Sequence, residues 1–393
     1  MSSGETPMTS RLLIRAVFLC IVAVTIATPL FGSAFFSQSV QSDNRNLSAP
    51  PNAPTTWSAL DEWPRQVDAY LRDHFGFRAQ LVRAYATLSW RLFGASPEPS
   101  VVVGRNGRLF LSDGEVRNRV LLGNCGAWWS DEYLAQWAAE ANAALRRLNA
   151  EFARLSVLIV PTSAVLYSED LPSWMENACA GKTPMVEALA ARLLPETRRL
   201  IAYPIEVAKR LPMASPLIPK HNFHWNGQGV NLFMDAYVES NFGLKRLIAP
   251  SWEPTTAPSD LARFFPGLEI SNTILSANWK SEKLEICDGG NCLKQAPLED
   301  LRLPRETMRV SRPGDGEPIL LLSDSFGWGA ALSLIEYFRD VVMINMNNFQ
   351  TLEEADRQAL WRRLKENWGG SNVLVLVQDG NIGLLSRFVK SLP

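Results

Sequence analysis

The sequence predicts a three-layer α/β domain with a mainly parallel β-sheet. Apolar runs of strand length without polar alternation are typical of strands buried on both faces, and they occupy residues 101–103, 155–160, 319–322, 341–346 and 373–377. Amphipathic segments with the 3.6-residue period of helices lie between these runs, at residues 131–152, 185–194, 229–240 and 355–368. Ser130 is a predicted N-cap of the first helix. Such alternation favours helices on both faces of the sheet, with functional loops at the carboxyl ends of its strands.

Length, composition and charge indicate a globular chain that does not bind nucleic acid. The chain has 393 residues, of which 47% are hydrophobic, enough to bury a sizeable core. Its net charge is −1, from 39 Lys and Arg against 40 Asp and Glu. Binding to nucleic-acid phosphates requires a basic surface, so we expect no such partner.

The sequence of residues 1–36 predicts an N-terminal membrane anchor. Residues 16–36 carry no charge and follow Arg11 and Arg15. An apolar run of this length spans the hydrocarbon core of a bilayer, and the basic flank favours a cytoplasmic N-terminus. A cleaved signal peptide is the alternative, because Gly32-Ser33-Ala34 offers small residues near a possible cleavage site. In both interpretations the rest of the chain lies outside the cytoplasm.

Composition divides the exported part of the chain into a linker and one domain. Residues 37–56 are rich in Ser, Asn, Gln and Pro and predict a linker. Residues 57–393 form the domain, which starts with a helical segment at 57–97. Residues 252–313 interrupt the strand–helix alternation with many Pro and Gly residues. We interpret them as an insertion, with a small sheet of its own that overhangs the active site.

Four of the five cysteines form an even set in the exported part. Cys20 lies inside the apolar N-terminal run, and Cys287 and Cys292 flank a four-residue turn. A disulfide between these two leaves Cys125 to pair with Cys179. A four-cysteine zinc site is the alternative, but neither pair has the two-residue spacing of zinc ribbons.

A serine and a histidine about a hundred residues apart lie in turns suited to catalysis. Ser325 follows an apolar strand in Ser323-Asp324-Ser325-Phe326-Gly327, a tight turn that opens a helix. His224 lies in a polar and aromatic loop before the helix predicted at 229–240. A serine hydroxyl needs a base to remove its proton, and histidine is the usual one. His74 falls in the helical segment, so His224 is the better candidate.

Several ordered motifs resemble the periplasmic O-acetyltransferases of the alginate type, which have an SGNH-hydrolase-like fold. Asn222-Phe223-His224-Trp225 stands where that family has Asp-x-His-Trp, and Ser323-Asp324-Ser325-Phe326 stands where it has the nucleophile. Residues 43–47, 70–78, 102–110, 160–163 and 167–172 are similar to further motifs in the same order. The resemblance covers most of the exported chain. Two positions depart from it: Asn222 replaces the aspartate, and Gln378-Asp379-Gly380-Asn381 replaces a Glu-Arg pair.

The resemblance implies a serine acyl-enzyme that acetylates an exported polysaccharide or cell-envelope glycan. Ser325 carries the acetyl group, His224 is the base, and Asn222 orients the imidazole through its side-chain carbonyl, as asparagine does in papain-like proteases. The implied partners are the polysaccharide acceptor, a membrane-bound O-acyltransferase that supplies acetyl groups, and the bacterial inner membrane that anchors this periplasmic domain. No cofactor or metal is required. The alternatives are an acetyl esterase of the same fold and a catalytically degenerate glycan-binding or assembly protein.

Further residues are candidates for binding the oxyanion or the substrate. The backbone N–H of Ser325 is a natural oxyanion donor, and Asp324 is suited to cap the helix that follows. Tyr167 and Ser163 follow the strand at 155–160 and are candidates to face the same cleft, although packing in the core is the favoured alternative for Tyr167. Trp225 and Trp328 flank the predicted catalytic residues and are expected to line a groove for sugar rings.

Overall fold

The computed structural model describes residues 15–24, 48–74, 78–113, 119–265, 268–280, 282–288, 298 and 301–393. Residues 15–24 are helical, and residues 25–36 of the predicted anchor lie outside the described residues. Within the described part of the chain, no helix is long and apolar enough to cross a membrane. The fold divides into two compact units, the first of residues 1–97 with 262–269 and the second of residues 98–261 with 270–393.

The first unit contains the helical segment predicted at 57–97, as two helices. Helix α1 spans Trp57–His74 and helix α2 spans Arg78–Phe93. Ser48 of the predicted linker donates both its backbone N–H and its hydroxyl to the Asp73 carboxylate, at 2.8 and 2.7 Å. Trp90 of α2 packs edge-to-face on Phe265, with ring centroids 5.3 Å apart.

The second unit is built around a seven-stranded sheet in the order β4-β3-β11-β9-β10-β8-β7. Neighbours from β4 through β10 pair in parallel, whereas β8 pairs antiparallel with β10 and β7. A mainly parallel sheet is therefore confirmed. The strands of the sheet are β3 Arg154–Val160, β4 Ile201–Ala202, β7 Glu285–Asp288, β8 Met308–Ser311, β9 Pro318–Ser323, β10 Asp340–Asn345 and β11 Asn372–Gln378.

Two pairs of strands lie outside this sheet and change two sequence-based interpretations. β1 Val101–Val103 pairs only with β2 Leu109–Leu111, so the first apolar run is not a strand of the main sheet. β5 Ser251–Pro258 and β6 Ser271–Asn278 form an antiparallel hairpin within the region interpreted as an insertion. The same region also supplies β7 and β8, which extend the main sheet, so only part of it is an insertion.

Helices pack on both faces of the sheet, as the strand–helix alternation predicts. The helix predicted at 185–194 ends at Ala190, and a separate short helix begins at Pro195. After α2, the helices are α3 Arg119–Asn124, α4 Asp131–Glu151, α5 Ser163–Leu166, α6 Ser173–Cys179, α7 Met185–Ala190, α8 Pro195–Arg198, α9 Ile205–Lys209, α10 Gln228–Phe242, α11 Gly327–Leu334, α12 Met346–Phe349, α13 Glu354–Trp368 and α14 Gly383–Lys390.

Alternate side chains of the central strands enter two separate cores. Val373, Val375 and Val377 of β11 pack with α4, α13 and α14, whereas Leu374 and Leu376 pack with α10 and α11. A strand with helices on both faces must be apolar at every position, which explains the unbroken apolar runs in the sequence. Ser130 accepts a hydrogen bond from Tyr133 N–H at 3.2 Å, so the predicted N-cap of α4 is confirmed.

The cysteines agree with the predicted pairing where the structure describes them. Cys125 and Cys179 form a disulfide that links the residue after α3 to the end of α6. The predicted pair of Cys287 with Cys292 lies outside the described residues, since Cys292 is not among them.

Candidate active site

A sharp turn between β9 and α11 presents Ser325 at the carboxyl end of the sheet. The Asp324 carbonyl accepts a hydrogen bond from Gly327 N–H, and the Asp324 carboxylate accepts one from Phe326 N–H, both at 3.0 Å. A Cβ at residue 327 would lie 1.8 Å from Ser323 Oγ, so only glycine permits this approach of helix to strand. The Ser325 side chain is exposed at the tip of the turn.

The Asp324 carboxylate connects this turn to a neighbouring strand, in addition to its bond at the start of the helix. Its second oxygen accepts a hydrogen bond from Gln378 N–H at the end of β11, at 2.9 Å. The side chain is buried, and burial raises the pKa of Asp324 despite these bonds. The carboxylate therefore fixes the Ser325 turn to the neighbouring strand.

The loop before α10 brings His224 to this serine. His224 Nε2 lies 2.9 Å from Ser325 Oγ, and Nδ1 of the same ring lies 2.7 Å from Asp260 Oδ2. Asp260 also accepts hydrogen bonds from the backbone N–H groups of Phe223 and His224, at 2.9 and 2.8 Å. Serine, histidine and aspartate thus form one hydrogen-bonded chain, the arrangement by which serine enzymes activate a hydroxyl.

The environment of Asp260 keeps its carboxylate charged beside the imidazole. Burial alone would raise the pKa of Asp260, but the hydrogen bonds from the His224 ring and the two backbone N–H groups outweigh it and lower the pKa. A charged carboxylate holds the proton on Nδ1, so that Nε2 is free to accept the serine proton.

The structure does not place Asn222 against the histidine, contrary to the role that the sequence resemblance implies. Asn222 Oδ1 accepts a hydrogen bond from Asn272 Nδ2 at 2.8 Å, and the Asn222 side chain is only 4% exposed. Asp260 occupies the position next to the ring instead. No sequence signal points to this residue, because it lies 36 positions after His224 in the loop that follows β5, inside the region interpreted as an insertion.

Trp225 connects the two loops and is not available to stack on a sugar. Its side chain is 4% exposed, and its indole N–H donates to the Phe326 carbonyl at 2.8 Å. Trp328, in the first turn of α11, is 52% exposed beside Ser325. Of the two tryptophans predicted to line a groove, only Trp328 presents a large accessible surface.

Tyr167 and Ser163 are not brought to the site. The Arg108 guanidinium lies 3.6 Å above the Tyr167 ring, and the tyrosine hydroxyl accepts a hydrogen bond from Ile218 N–H. Ser163 is buried at the start of α5. Neither residue is part of the cavity wall at Ser325.

Ser325 opens into a cavity of about 720 Å³. The β5–β6 hairpin forms one wall through Ala257, Ile274 and Ser276, and Trp252 and Trp279 lie at the ends of its two strands. The backbone N–H of Ser325 forms no hydrogen bond with any described residue. It is therefore available to bind the oxyanion of a tetrahedral intermediate.

The fold has distant likenesses among solved structures, while no family model and no curated protein matches the sequence. A DHHW family protein from Eubacterium siraeum is 13% identical with a TM-score of 0.48, and the match covers 74% of this chain and 94% of that one. Bacillus cereus PatB1 is 12% identical with a TM-score of 0.47, over 72% and 96% of the two chains. The O-acetyltransferase domain of Pseudomonas putida AlgJ is 14% identical with a TM-score of 0.39, over 74% and 99%. Because these scores lie below 0.5, the function proposed next rests on the site itself.

Proposed function

We propose that the chain is a serine-dependent O-acetyltransferase that acetylates hydroxyl groups of an exported polysaccharide or cell-envelope glycan. The observation that carries the proposal is the hydrogen-bonded chain Asp260–His224–Ser325 at the mouth of a large cavity. This arrangement suits acyl transfer, since each of its members has the partner that its role requires.

In the first half-reaction, His224 Nε2 takes the proton of Ser325 Oγ as that oxygen attacks the carbonyl carbon of an acetyl donor. The Ser325 N–H binds the oxyanion, and Asp260 stabilises the imidazolium. Collapse of the tetrahedral intermediate breaks the bond to the donor oxygen, which leaves with the proton from His224. The product is an acetyl ester on Ser325.

In the second half-reaction, a sugar hydroxyl replaces the donor. His224 removes the hydroxyl proton while the sugar oxygen attacks the acetyl ester, and it returns that proton to Ser325 Oγ as the ester bond breaks. The enzyme is regenerated, and one acetyl group has moved to the glycan. Every step uses side chains of this chain.

The site and the rest of the chain together support an extracytoplasmic glycan as acceptor. Trp252, Trp279 and Trp328 line the cavity, and the apolar faces of tryptophan suit sugar rings. The Cys125–Cys179 disulfide fits an oxidising compartment. With the apolar N-terminal run, this supports a periplasmic domain anchored to the bacterial inner membrane, where a membrane-bound O-acyltransferase supplies the acetyl groups.

An acetyl esterase is the second candidate, because the exposed Ser325 side chain leaves the acyl-enzyme open to water. The same triad then hydrolyses the acetyl ester. A transferase releases less acetate when a glycan acceptor is added, whereas an esterase does not. Measuring free acetate and acetylated oligosaccharide in one reaction separates the two activities.

The direct test is to trap the acyl-enzyme. Incubation with 4-nitrophenyl acetate, followed by mass spectrometry of peptides, is expected to place an acetyl group on Ser325 together with a burst of nitrophenol. Ser325→Ala should abolish both, while Ser240→Ala, at an exposed serine on α10, should leave them unchanged. A burst of equal size in Ser325→Ala would show that the proposal is wrong.

A further inference from the structure

The charges around the cavity are of one sign. The ionisable residues that line it, apart from His224, are Asp260, Asp288, Glu306 and Asp324, and no lysine or arginine lines it within the described part of the chain. Asp260 and Asp324 are held by the triad and the nucleophile turn. Asp288 and Glu306 have no role in the chemistry described so far, yet both are exposed towards the space that an acceptor would enter.

Glu306 is held at the cavity by the end of the central sheet. Its Oε2 accepts a hydrogen bond from Asn345 Nδ2 at 2.6 Å. Asn345 ends β10 and is the register partner of Ser323, two residues before Ser325. Glu306 also has a φ of 61°, a left-handed backbone that residues other than glycine seldom adopt and that recurs at functional sites. This carboxylate is therefore held in the wall of the cavity that contains Ser325.

Asp288 contributes a second carboxylate from the edge of the sheet. It ends β7, the outermost strand, and its side chain is exposed. Neither Asp288 nor Glu306 forms an ion pair with a described residue. Among the described residues no ion pair neutralises these two negative charges, so we expect them to act on any group that enters the cavity.

The remaining polar groups of the wall are neutral. Asn226 and Ser276 offer an amide and a hydroxyl, which match the hydroxyl groups of a sugar. Proteins bind carboxylates and phosphates mainly with arginine and lysine, and the described wall has neither. The lining combines aromatic surface, neutral hydrogen-bonding groups and negative charge.

We infer that the acceptor is an uncharged glycan and that polyuronates are rejected. The inference rests on the proposed function and specifies its substrate class. A uronate carboxylate within about 6 Å of Asp288 or Glu306 would be repelled strongly enough to lower affinity by about 10- to 100-fold. A neutral hexose chain meets the same wall without that repulsion and keeps the contacts with Trp252, Trp279 and Trp328.

Matched oligosaccharides test this inference by binding alone. Neutral hexaoses in several linkages and their C6-carboxylated counterparts differ only in charge, and calorimetry with Ser325→Ala measures their affinity without turnover. In each pair that binds, the neutral member is expected to bind at least 10-fold more tightly in buffer of low ionic strength. Equal or tighter binding of the carboxylated member, or no binding by any neutral hexaose, would overturn the inference.

Charge variants assign the selectivity to the two carboxylates. Asp288→Lys and Glu306→Lys are expected to reduce the neutral-to-carboxylated affinity ratio by 10-fold or more. Glu239→Lys makes the same charge change at an exposed position near the end of α10 and should leave the ratio within 2-fold. An unchanged ratio in both lysine variants of the cavity wall would contradict the inference.

The outcome for the acyl-enzyme is independent of these measurements. If 4-nitrophenyl acetate acetylates Ser325 but carboxylated hexaoses are bound or acetylated better, the acceptor inference fails and the proposed function stands. If no acyl-enzyme forms, the proposed function fails and the acceptor inference fails with it.

Discussion

Trp225 donates its indole N–H to the main-chain carbonyl of Phe326, across 2.8 Å and 101 positions of sequence. Each of these residues follows a member of the triad, Trp225 after His224 and Phe326 after Ser325. The hydrogen bond therefore fixes the distance between the His224 loop and the Ser325 turn. Gly329 allows the indole to pack closely, because a Cβ there would lie 3.0 Å from its nitrogen.

Replacement of Trp225 by phenylalanine is expected to make the position of His224 relative to Ser325 less fixed. The change removes the hydrogen bond and leaves the buried Phe326 carbonyl without its donor, which costs about 1–3 kcal/mol of stability. A misplaced base lowers turnover by about 100-fold. Urea unfolding and nitrophenol release measure the two effects. Phe223→Leu, on the same loop but without a side-chain hydrogen bond, should cost less activity, and a fully active Trp225→Phe would contradict this role.

Asp260→Asn is expected to lower kcat by up to about 10⁴, as the equivalent change does in serine proteases, where the imidazole is then held in the wrong tautomer. The fold should be retained at some cost in stability, because the amide keeps the shape of the side chain but its single acceptor oxygen can accept only one of the two hydrogen bonds from the Phe223 and His224 backbone. Asp315→Asn, at an exposed position, is the matched control and should keep full activity. A loss smaller than 10-fold in Asp260→Asn would show that another group holds the ring.

Asn222→Asp should not increase activity, although it restores the aspartate of the family motif. The side chain at 222 faces Asn272 and not the imidazole. The decisive measurement is kcat/KM of the double variant Asn222→Asp with Asp260→Asn, which we expect to be as low as that of Asp260→Asn alone. Recovery of activity in the double variant would assign the acid to position 222.

Asp379 is expected to make stability depend on pH. It is buried and accepts hydrogen bonds from Thr162 N–H and the Tyr203 hydroxyl, while Oδ1 has no partner among the described residues. Burial raises the pKa of Asp379 to about 6 from its ordinary 3.8. Between these values the folded protein binds more protons than the unfolded chain, so stability falls as pH rises from about 4 to 6 and stays lower above that range.

Asp379→Asn should remove this dependence. The free energy of unfolding of the variant, relative to that of the parent protein, is expected to increase by up to about 3 kcal/mol between pH 4 and pH 7, since two pKa units correspond to that energy. Urea unfolding at several pH values measures the difference in unfolding free energy between the variant and the parent protein. The amide does not titrate, so the cost of leaving it unpaired is the same at every pH. Asp315→Asn should show no such growth. An equal difference at pH 4 and pH 7 would contradict the raised pKa.

The Cys125–Cys179 disulfide is expected to contribute about 2–4 kcal/mol to stability, because it closes a loop between residues 54 positions apart and restricts the unfolded chain. Unfolding of the variant with serine at both positions, compared with Cys20→Ser as control, gives the value. If the double serine variant unfolded at the same midpoint as the parent protein, the predicted contribution of the disulfide to stability would be wrong.

The sequence by itself determined the layered fold, because period and composition are local properties of the chain. Val373–Val377 is apolar throughout since both faces of β11 are covered. Ser325 and His224 were also visible from the sequence, since a serine after a buried strand and a histidine before a helix each have a local signature. The Ser130 cap followed from the same kind of reasoning, whereas the pairing of Cys125 with Cys179 followed from elimination, once Cys287 was paired with Cys292.

Only the tertiary structure decided which acid faces the histidine and which charged side chains line the cavity. Asp260 reaches His224 because the chain turns back after β5, and no local pattern reports a contact between residues 36 positions apart. For the same reason Trp225 is a buried link between loops rather than a sugar platform. The negative cavity arises from carboxylates on separate segments, Asp288 on β7 and Glu306 before β8. Their proximity to Ser325 depends on sheet order, which the sequence pattern leaves undetermined.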